Sequence, residues 1–432
     1  VTKRASADNY TLTVTNATGL TATTTVNFSA DPSFTTASGS LGTVYTGVSA
    51  SKTITAGSSV SWYEGTPTMP TWMTHFADGA TGTSQNLTGT PAQVNSSLTS
   101  EVQNFNIIIR DSENQSHNRD FSLTVVDAPI STNSGGVGSI TTYTGYRVHS
   151  WTATGSHSNS FTLYAATVCD VLMVGGGGGA GGSANDYTGG GGGGGGGVYE
   201  MTQVTLPSGT YSVTVGTGGT GGTGYVNTGA NNGGSSSITF PNSTTYTAVG
   251  GGHGGSYGDM PPDTGGSGGG AGNTHPSGSN DQLGGVAVYD LDSSDGLPTG
   301  HATYGSNGGN SVAYGNSNAN GGGGGGAGSA GSNSSGTSVG GDGGEGRSNS
   351  WRTGSAVIYG AGGGGGGNGG GGSGGNGVSG HGAGDGKQGY SGNGASGLAN
   401  QGGGGGGSCT STSGNHTGGT GGSGIVVIRY AI

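Results

Sequence analysis

The sequence predicts an all-β protein built from an Ig-like β-sandwich and a glycine-rich β domain with packed, extended, polyglycine II-like runs. Alternating apolar and polar residues recur through the first part of the chain, and turns containing Gly, Pro and Asn separate these segments. Residues 1–174 hold 14 glycines, whereas residues 175–424 hold 96. Charged residues make up only 7% of the chain. Tyr, Val, Ile and Thr are plentiful, which favours ordered backbone packing over disorder.

The change in glycine content sets the main boundary between regions. We predict an N-terminal hairpin in residues 1–30, an Ig-like sandwich in 31–127 and a glycine-rich domain in 128–432, with glycine runs in 175–424 and a closing strand at 425–430. This closing strand is expected to pair with the strand at 168–174. The pairing would bring the two ends of the glycine-rich region together.

The first part of the chain contains an internal repeat with a constant offset of 95 residues. That spacing is about the size of one immunoglobulin domain. The first copy consists only of a closing hairpin, whereas the second copy is preceded by a full set of strand-like segments. The first set is Tyr10, Leu12, Val14, Asn16, Val26 and Phe28, and the second is Phe105, Ile107, Ile109, Asp111, Phe121 and Leu123.

The N-terminal hairpin lacks a visible partner in its own chain. An isolated two-stranded hairpin is marginally stable in water, and its unpaired edges favour aggregation. Two explanations remain open: the rest of its domain is absent because the chain is truncated, or another molecule completes it by β-strand addition. We favour strand donation, with Tyr10, Leu12 and Val14 on one face and Val26 and Phe28 completing the interface. Repeated head to tail, this contact would generate a filament.

Runs of five or more glycines punctuate the second region. A flexible linker is one use of such runs, but several short runs interrupted by polar and aromatic residues suit a linker poorly. Extended threefold chains without side chains can instead approach closely and exchange lateral backbone hydrogen bonds. Ordering glycine is entropically costly, so many runs must cooperate. We predict an ordered bundle of the runs at 175–179, 189–197, 321–326, 362–367 and 402–407.

The two cysteines flank the glycine-rich region almost symmetrically. We predict a single disulfide between Cys169 and Cys409, which would add about 5 kcal/mol by the chain-entropy argument. The alternative is a pair of unrelated buried thiols.

Two stretches resemble known families. The segments PTWM at 70–73 and LTGTP at 87–91, with the hairpin that follows, resemble Ig-like, cadherin-like modules of bacterial and phage surface proteins. The segment YRVHSW at 146–151, the strand at 171–174 and GGSGIVVIRY at 421–430 resemble glycine-rich domains at the ends of phage and environmental-virus tail-fibre proteins. This second resemblance implies receptor-binding loops between the runs, at 253–264, 273–304 and 329–359.

Composition argues against several classes of function. The net charge is −11 without a basic stripe, so we expect no nucleic-acid partner. The longest apolar runs are strand-sized, so we expect no membrane span. No catalytic residues, metal ligands or cofactor site can be nominated, and the Gly-x-Gly patterns lack a βαβ context. The chain starts at Val1 without a signal peptide, and we interpret it as a processed or truncated product of an exported protein.

An acidic cluster and the tyrosines among the glycines each allow two interpretations. Asp290, Asp292 and Asp295 could hold calcium, but a solvated acidic turn is the preferred interpretation. Tyrosines among the glycines suit either adaptable binding loops or aromatic caps over bare backbone. These are Tyr187, Tyr257, Tyr289, Tyr304, Tyr314, Tyr359 and Tyr390.

Together these observations predict a non-enzymatic structural subunit of an extracellular, pilus-like filament that polymerises with copies of itself through its N-terminal strand. The alternative is a phage tail-fibre or adhesin component that binds a cell-surface receptor or glycan. A fibre-borne glycan hydrolase with paired carboxylates is a distant third. The expected location is the cell surface or a virion fibre.

Overall fold

The computed structural model divides the chain into two compact units, residues 1–130 and 131–432. Within the described residues every regular element is a β-strand, which confirms the predicted all-β class. The described residues are 6–46, 49–91, 100–126, 131–132, 138–163, 166–184, 188–224, 229–256, 260–272, 282–289, 298–314, 318–335, 339–367, 381–389, 391–410 and 414–431.

The first unit contains a two-stranded hairpin and an Ig-like sheet. β1 pairs with β2, and the other strands form one sheet in the order β3-β8-β7-β4-β6-β5. The strands are β1 (Asp8–Thr15), β2 (Thr21–Phe28), β3 (Gly39–Tyr45), β4 (Ala50–Glu64), β5 (Met73–Thr74), β6 (Ala80–Gly89), β7 (Ser100–Arg110) and β8 (Ser116–Val126).

The sheet closes around one apolar core. β7 and β8 pair antiparallel, and the second half of β8 alternates buried with partly exposed residues, as a half-buried strand requires. Trp62 of β4 is fully buried and donates its indole N–H to the carbonyl of Gly82 at 3.0 Å. Phe34 packs edge to face against Trp62 and Phe121, so aromatic packing joins distant strands.

The second unit holds short strands around a glycine-rich centre. They are β9 (Ser131–Thr132), β10 (Gly138–Tyr143), β11 (Tyr146–Trp151), β12 (Gly155–Leu163), β13 (Thr167–Val174), β14 (Ser183–Ala184), β15 (Thr188–Gly189), β16 (Val198–Leu206), β17 (Gly209–Val215), β18 (Ser236–Thr239), β19 (Thr245–Ala248), β20 (His301–Tyr304), β21 (Val312–Tyr314), β22 (Asn318–Asn320), β23 (Arg347–Asn349), β24 (Val357–Tyr359), β25 (Cys409–Thr410), β26 (Asn415–His416) and β27 (Ile425–Ala431).

A six-stranded sheet, β10-β11-β27-β13-β16-β20, forms the base of this unit. β27 lies between β11 and β13 and pairs antiparallel with β13, with Val174 opposite Ile425. The predicted pairing of the closing strand is therefore confirmed. One face of the sheet carries the buried residues Val148, Leu172 and Val427, which form a core with the aromatic side chain of Tyr359.

The glycine runs form an ordered bundle that continues from this base. The run at 189–197, here called the central run, donates backbone N–H bonds of 2.8–3.0 Å to three neighbouring segments, 249–256, 320–327 and 402–408. Its carbonyls accept from three others, which lie at 175–182, 266–272 and 360–367. The central run thus has six neighbours, and successive residues face different ones in turn. This threefold repetition is the geometry of a polyglycine II lattice, so the predicted bundle is confirmed.

Close approach explains why the interior positions carry no side chain. A Cβ added at Gly192 would overlap the carbonyl oxygen of Gly363, and one added at Gly193 would overlap that of Gly178. On the rim of the bundle, side chains return at every third residue. Thr217, Thr220 and Thr223 are exposed, and the residues between them are buried or half-buried glycines. Rim segments therefore need glycine at only two positions in three.

Candidate interaction surfaces

The N-terminal hairpin reproduces the closing hairpin of the sandwich in register. Tyr10 lies opposite Val26 in β1 and β2, and the residues 95 positions later, Phe105 and Phe121, lie opposite each other in β7 and β8. The same offset holds for the other cross-strand pairs of the first hairpin. The repeat seen in the sequence is therefore a repeat of the three-dimensional hairpin.

The turns of the two hairpins also match. Asn16 Oδ1 accepts backbone N–H bonds from Thr18 and Leu20 at 3.0 Å each. Asp111 Oδ1 accepts the equivalent bonds from Glu113 and Gln115 at 3.0 and 2.9 Å. Both turns then place one residue in the left-handed region, Gly19 in the first and Asn114 in the second. The short polar side chain at the start of each turn fixes the chain reversal.

The two hairpins differ in how far their apolar side chains are buried. The side chains of Phe105, Ile107, Ile109, Phe121 and Leu123 are at most 1% exposed, whereas their counterparts in the first hairpin are between 36% and 60% exposed. These exposed counterparts are Tyr10, Leu12, Val14, Val26 and Phe28, here called the hairpin face. All five were predicted as interface residues, and the structure brings them onto one face of one hairpin. Tyr10 and Phe28 already touch, with ring centroids 5.7 Å apart.

The sandwich presents an edge strand on the side of β8. β3 pairs in parallel with β8, and β8 pairs with β7. Within the part of the unit that the structure describes, β3 is the terminal strand of its sheet. An edge strand is the usual place for strand addition from another chain.

The two cysteines are free, buried thiols. The predicted pairing failed because it rested on both ends of the region meeting at the base. Cys169 lies five residues before the end of β13, and Cys409 lies beside Gly181 at the opposite end of the bundle, where the Ser408 N–H donates to the Gly181 carbonyl at 3.3 Å. The extended chain from Cys169 to Gly181 spans on the order of 35 Å, far beyond the reach of a disulfide. Burial raises the pKa of both thiols to about 12.

The end of the bundle away from the base carries small capping sheets. β14 pairs with β26, and β15 pairs with β22 and β25. Described residues that flank the segments 185–187, 315–317 and 411–413 therefore lie at this end, here called the far end. Of the predicted receptor loops, residues 253–256 and 260–264 run along this half of the bundle. The hairpin of β23 and β24, inside the predicted loop 329–359, packs instead at the base.

The described tyrosines favour the role of aromatic caps. The hydroxyl of Tyr289 donates to the Thr247 carbonyl at 2.6 Å, and its ring lies against the backbone of Gly197. Tyr304 and Tyr359 are buried in the core of the base. Tyr187, Tyr257 and Tyr390 lie outside the described residues, as do Asp290, Asp292 and Asp295, and of Tyr314 only the backbone is described.

Sequence reasoning missed two buried polar features of the second unit. Asp170 is 2% exposed and accepts a bond from Arg429 Nε at 2.8 Å, and the same guanidinium also donates to the Tyr143 hydroxyl at 2.7 Å. His149 is fully buried, between the rings of Trp151 and Tyr430. Single polar or ionisable residues inside apolar strands were the signal available for both. Their partners are more than 250 residues away for the ion pair, so the sequence could not name them.

No set of His, Cys, Asp and Glu side chains in the described ranges could hold a metal ion. Those ranges also contain no helix with the length and hydropathy to span a bilayer.

The architecture defines a class of protein: an Ig-like module joined to a glycine-rich bundle. Residues 152–431 match the family model of the glycine-rich domain, so the chain belongs to the glycine-rich domain family. No curated protein matches the chain. Among solved structures, an Ig chain from a mutant titin M10 and obscurin-like 1 complex is similar at 17% identity, covering 23% of this chain and 97% of its own, with a TM-score of 0.17.

Proposed function

We propose that the chain is a structural subunit of an extracellular fibre that assembles through the hairpin face. The observation that carries the proposal is the contrast between two hairpins with the same register and turn. One is buried in a sandwich and the other is bare. Apolar side chains exposed on one face favour association, at about 25 cal/mol per Å² removed from water.

The strands beside the buried hairpin β7–β8 indicate which strands of a neighbouring subunit could lie beside the exposed hairpin β1–β2. β8 has β3 alongside it in parallel, and β7 has β4 alongside it antiparallel. In the sandwich the position between β3 and β4 is already occupied by β8 and β7, whose core residues are fully buried. A neighbouring hairpin therefore adds at an open edge of the sandwich, such as β3, rather than entering its core. Both surfaces are nearly uncharged, so association is not opposed by repulsion.

A pair of variants on opposite faces of β1 tests the proposal. Leu12→Asp places a charge on the hairpin face, whereas Thr13→Asp places the same charge on the other, polar face. We expect the parent chain and Thr13→Asp to form uniform fibres by negative-stain electron microscopy. Leu12→Asp should remain monomeric in size-exclusion chromatography with light scattering. Equal behaviour of the two variants, or a parent chain that stays monomeric when concentrated, would refute assembly through this face.

A second candidate function is a receptor-binding adhesin, and it is supported by the far end of the bundle. There the short pairings of β14 with β26 and of β15 with β25 join the ends of the glycine runs, next to the segments that connect them. A rigid scaffold that displays loops at one end suits recognition. Replacing residues 411–413 with Gly-Ser-Gly should abolish adhesion to cells without affecting the mass of the particle. Fibre loss in that variant would instead favour the first candidate.

A further inference from the structure

A cleft lined by Ser, Thr, Tyr and Arg side chains lies on the base of the glycine-rich unit, away from the far end. It has a volume of about 320 Å³, within the range of small-ligand sites. One wall is the edge strand β10 with the adjoining part of β11, and the other is the turn at 350–354 between β23 and β24. All of its lining residues are described and belong to the second unit.

The lining is rich in hydroxyl groups. Thr141 and Thr142 of β10 are exposed, and Ser139 Oγ pairs with the buried Ser150 Oγ at 2.9 Å. Thr353 stands on the opposite wall. A hydroxyl both donates and accepts a hydrogen bond, so a wall of Ser and Thr is suited to a ligand that is itself a polyol.

One cation faces this hydroxyl wall. Arg352 lines the cleft, and the lining contains no carboxylate. The ion pairs of Arg347 with Glu200 and of Arg429 with Asp170 do not involve Arg352, whose guanidinium lies near the Tyr359 hydroxyl. In a chain with a net charge of −11, a cleft with a guanidinium and no acid selects for an anionic ligand. A guanidinium binds a carboxylate through two parallel hydrogen bonds.

The turn that carries Arg352 is held in place. The Tyr143 hydroxyl donates to the Trp351 carbonyl at 3.1 Å, and Trp351 N–H donates to Asn349 Oδ1 at 2.8 Å. Asn349 in turn donates to the buried Glu200 at 2.8 Å. The Tyr143 ring lies against Gly354, whose left-handed backbone closes the turn. A wall anchored at this many points is preorganised, so less ordering of the protein is needed when a ligand binds.

We infer that this cleft binds a saccharide that carries a carboxylate, such as a uronic acid residue of an extracellular polysaccharide. The acid group lies on Arg352, and the ring hydroxyls pair with the Ser and Thr side chains of β10 and β11. The half-buried ring of Tyr143 supplies the apolar surface. This assignment is independent of assembly through the hairpin face, since it uses none of the same residues.

Calorimetric titration of the full chain tests the assignment. The probes are a galacturonic acid trisaccharide and the matching neutral galactose trisaccharide. We expect the acidic probe to bind at least about tenfold more tightly, since one charge-assisted pair is worth about that factor. Arg352→Gln should weaken binding of the acidic probe by a similar factor, and Arg352→Lys should restore part of it. Thr141→Val should weaken both probes a few-fold.

Lys387→Gln is the matched control, because it removes one positive charge from the far half of the bundle and leaves the cleft intact. Binding that is unchanged by Lys387→Gln and lost in Arg352→Gln supports the assignment. An equal loss of binding in the two variants would contradict the assignment, because it would show a general effect of net charge. Equal affinity for the acidic and neutral probes, or no heat with either, would overturn it.

Discussion

At the scale of single residues, the bundle depends on the absence of a side chain from each interior glycine. Successive positions of the central run face different neighbours, so no direction is left free for a side chain. The backbone N–H and C=O groups of this run bond to neighbouring segments, which offsets the entropic cost of ordering so many glycines. A side chain at an interior position would therefore displace a neighbouring backbone and break several of these bonds.

Gly193→Ala tests this dependence. Alanine restricts the unfolded chain and by that effect alone would stabilise by up to about 1 kcal/mol. The overlap with the Gly178 carbonyl is larger, because backbone on both sides must shift, and overpacking of this kind costs about 3 kcal/mol or more. We expect the free energy of unfolding of the glycine-rich unit to fall, followed in urea by the fluorescence of Trp151 and Trp351. Thr217→Ala on the exposed rim should change it by less than about 0.5 kcal/mol, and a matching loss there would contradict the lattice argument.

At the scale of elements, strands with side chains were predictable and contacts between glycine runs were not. The pairing of the strand at 168–174 with the closing strand, which is that of β13 with β27, was predicted from the sequence. The repeat at offset 95 predicted the N-terminal hairpin together with its register. Bare glycine, by contrast, carries no information about which run lies beside which. The disulfide prediction failed for that reason, since it assumed that Cys169 and Cys409 lay at the same end of the bundle.

The turn between β7 and β8 gives a prediction at this scale. Asp111→Ala removes the acceptor for the Glu113 and Gln115 N–H groups, and the free energy of unfolding of the sandwich should fall by about 1 to 2 kcal/mol. Asn114→Gly keeps the left-handed conformation of the same turn and should be close to neutral. The measurement is urea unfolding followed by the fluorescence of Trp62. A loss in the glycine variant as large as that in Asp111→Ala would show that turn contacts other than the carboxylate matter more.

At the scale of the whole molecule, the two units form their interiors from different groups. The sandwich buries apolar side chains around Trp62, whereas the bundle buries backbone and the base buries large apolar side chains such as Leu172 and Val427. The base therefore has to hold the ends of the runs, and its interior includes groups that an apolar core seldom contains. The Arg429–Asp170 pair is one such group, and His149 is another.

His149 links the stability of the glycine-rich unit to pH. It is fully buried, and neither ring nitrogen has a hydrogen-bond partner within the described structure. Burial lowers its pKa from 6.5 to about 3, and the nearby Arg147 adds to the shift. The unfolded chain binds a proton at this residue below pH 6.5, whereas the folded chain does not until about pH 3. The stability contributed by the neutral ring is therefore complete above pH 6.5 and is lost as the pH falls, by about 1.4 kcal/mol per pH unit.

His149→Phe removes the titrating group and keeps a ring among Trp151, Phe161 and Tyr430. We expect urea unfolding at pH 7, 5 and 4 to show a shallower loss of stability in the variant than in the parent, and only in the transition of the glycine-rich unit. The sandwich transition is an internal control, since it should keep the same pH dependence in both proteins. His253→Gln, on a rim segment of the bundle, should retain the slope of the parent. Parallel slopes for the parent and His149→Phe would mean that the buried imidazole gains a proton without unfolding, and that the aromatic cluster opens to admit water.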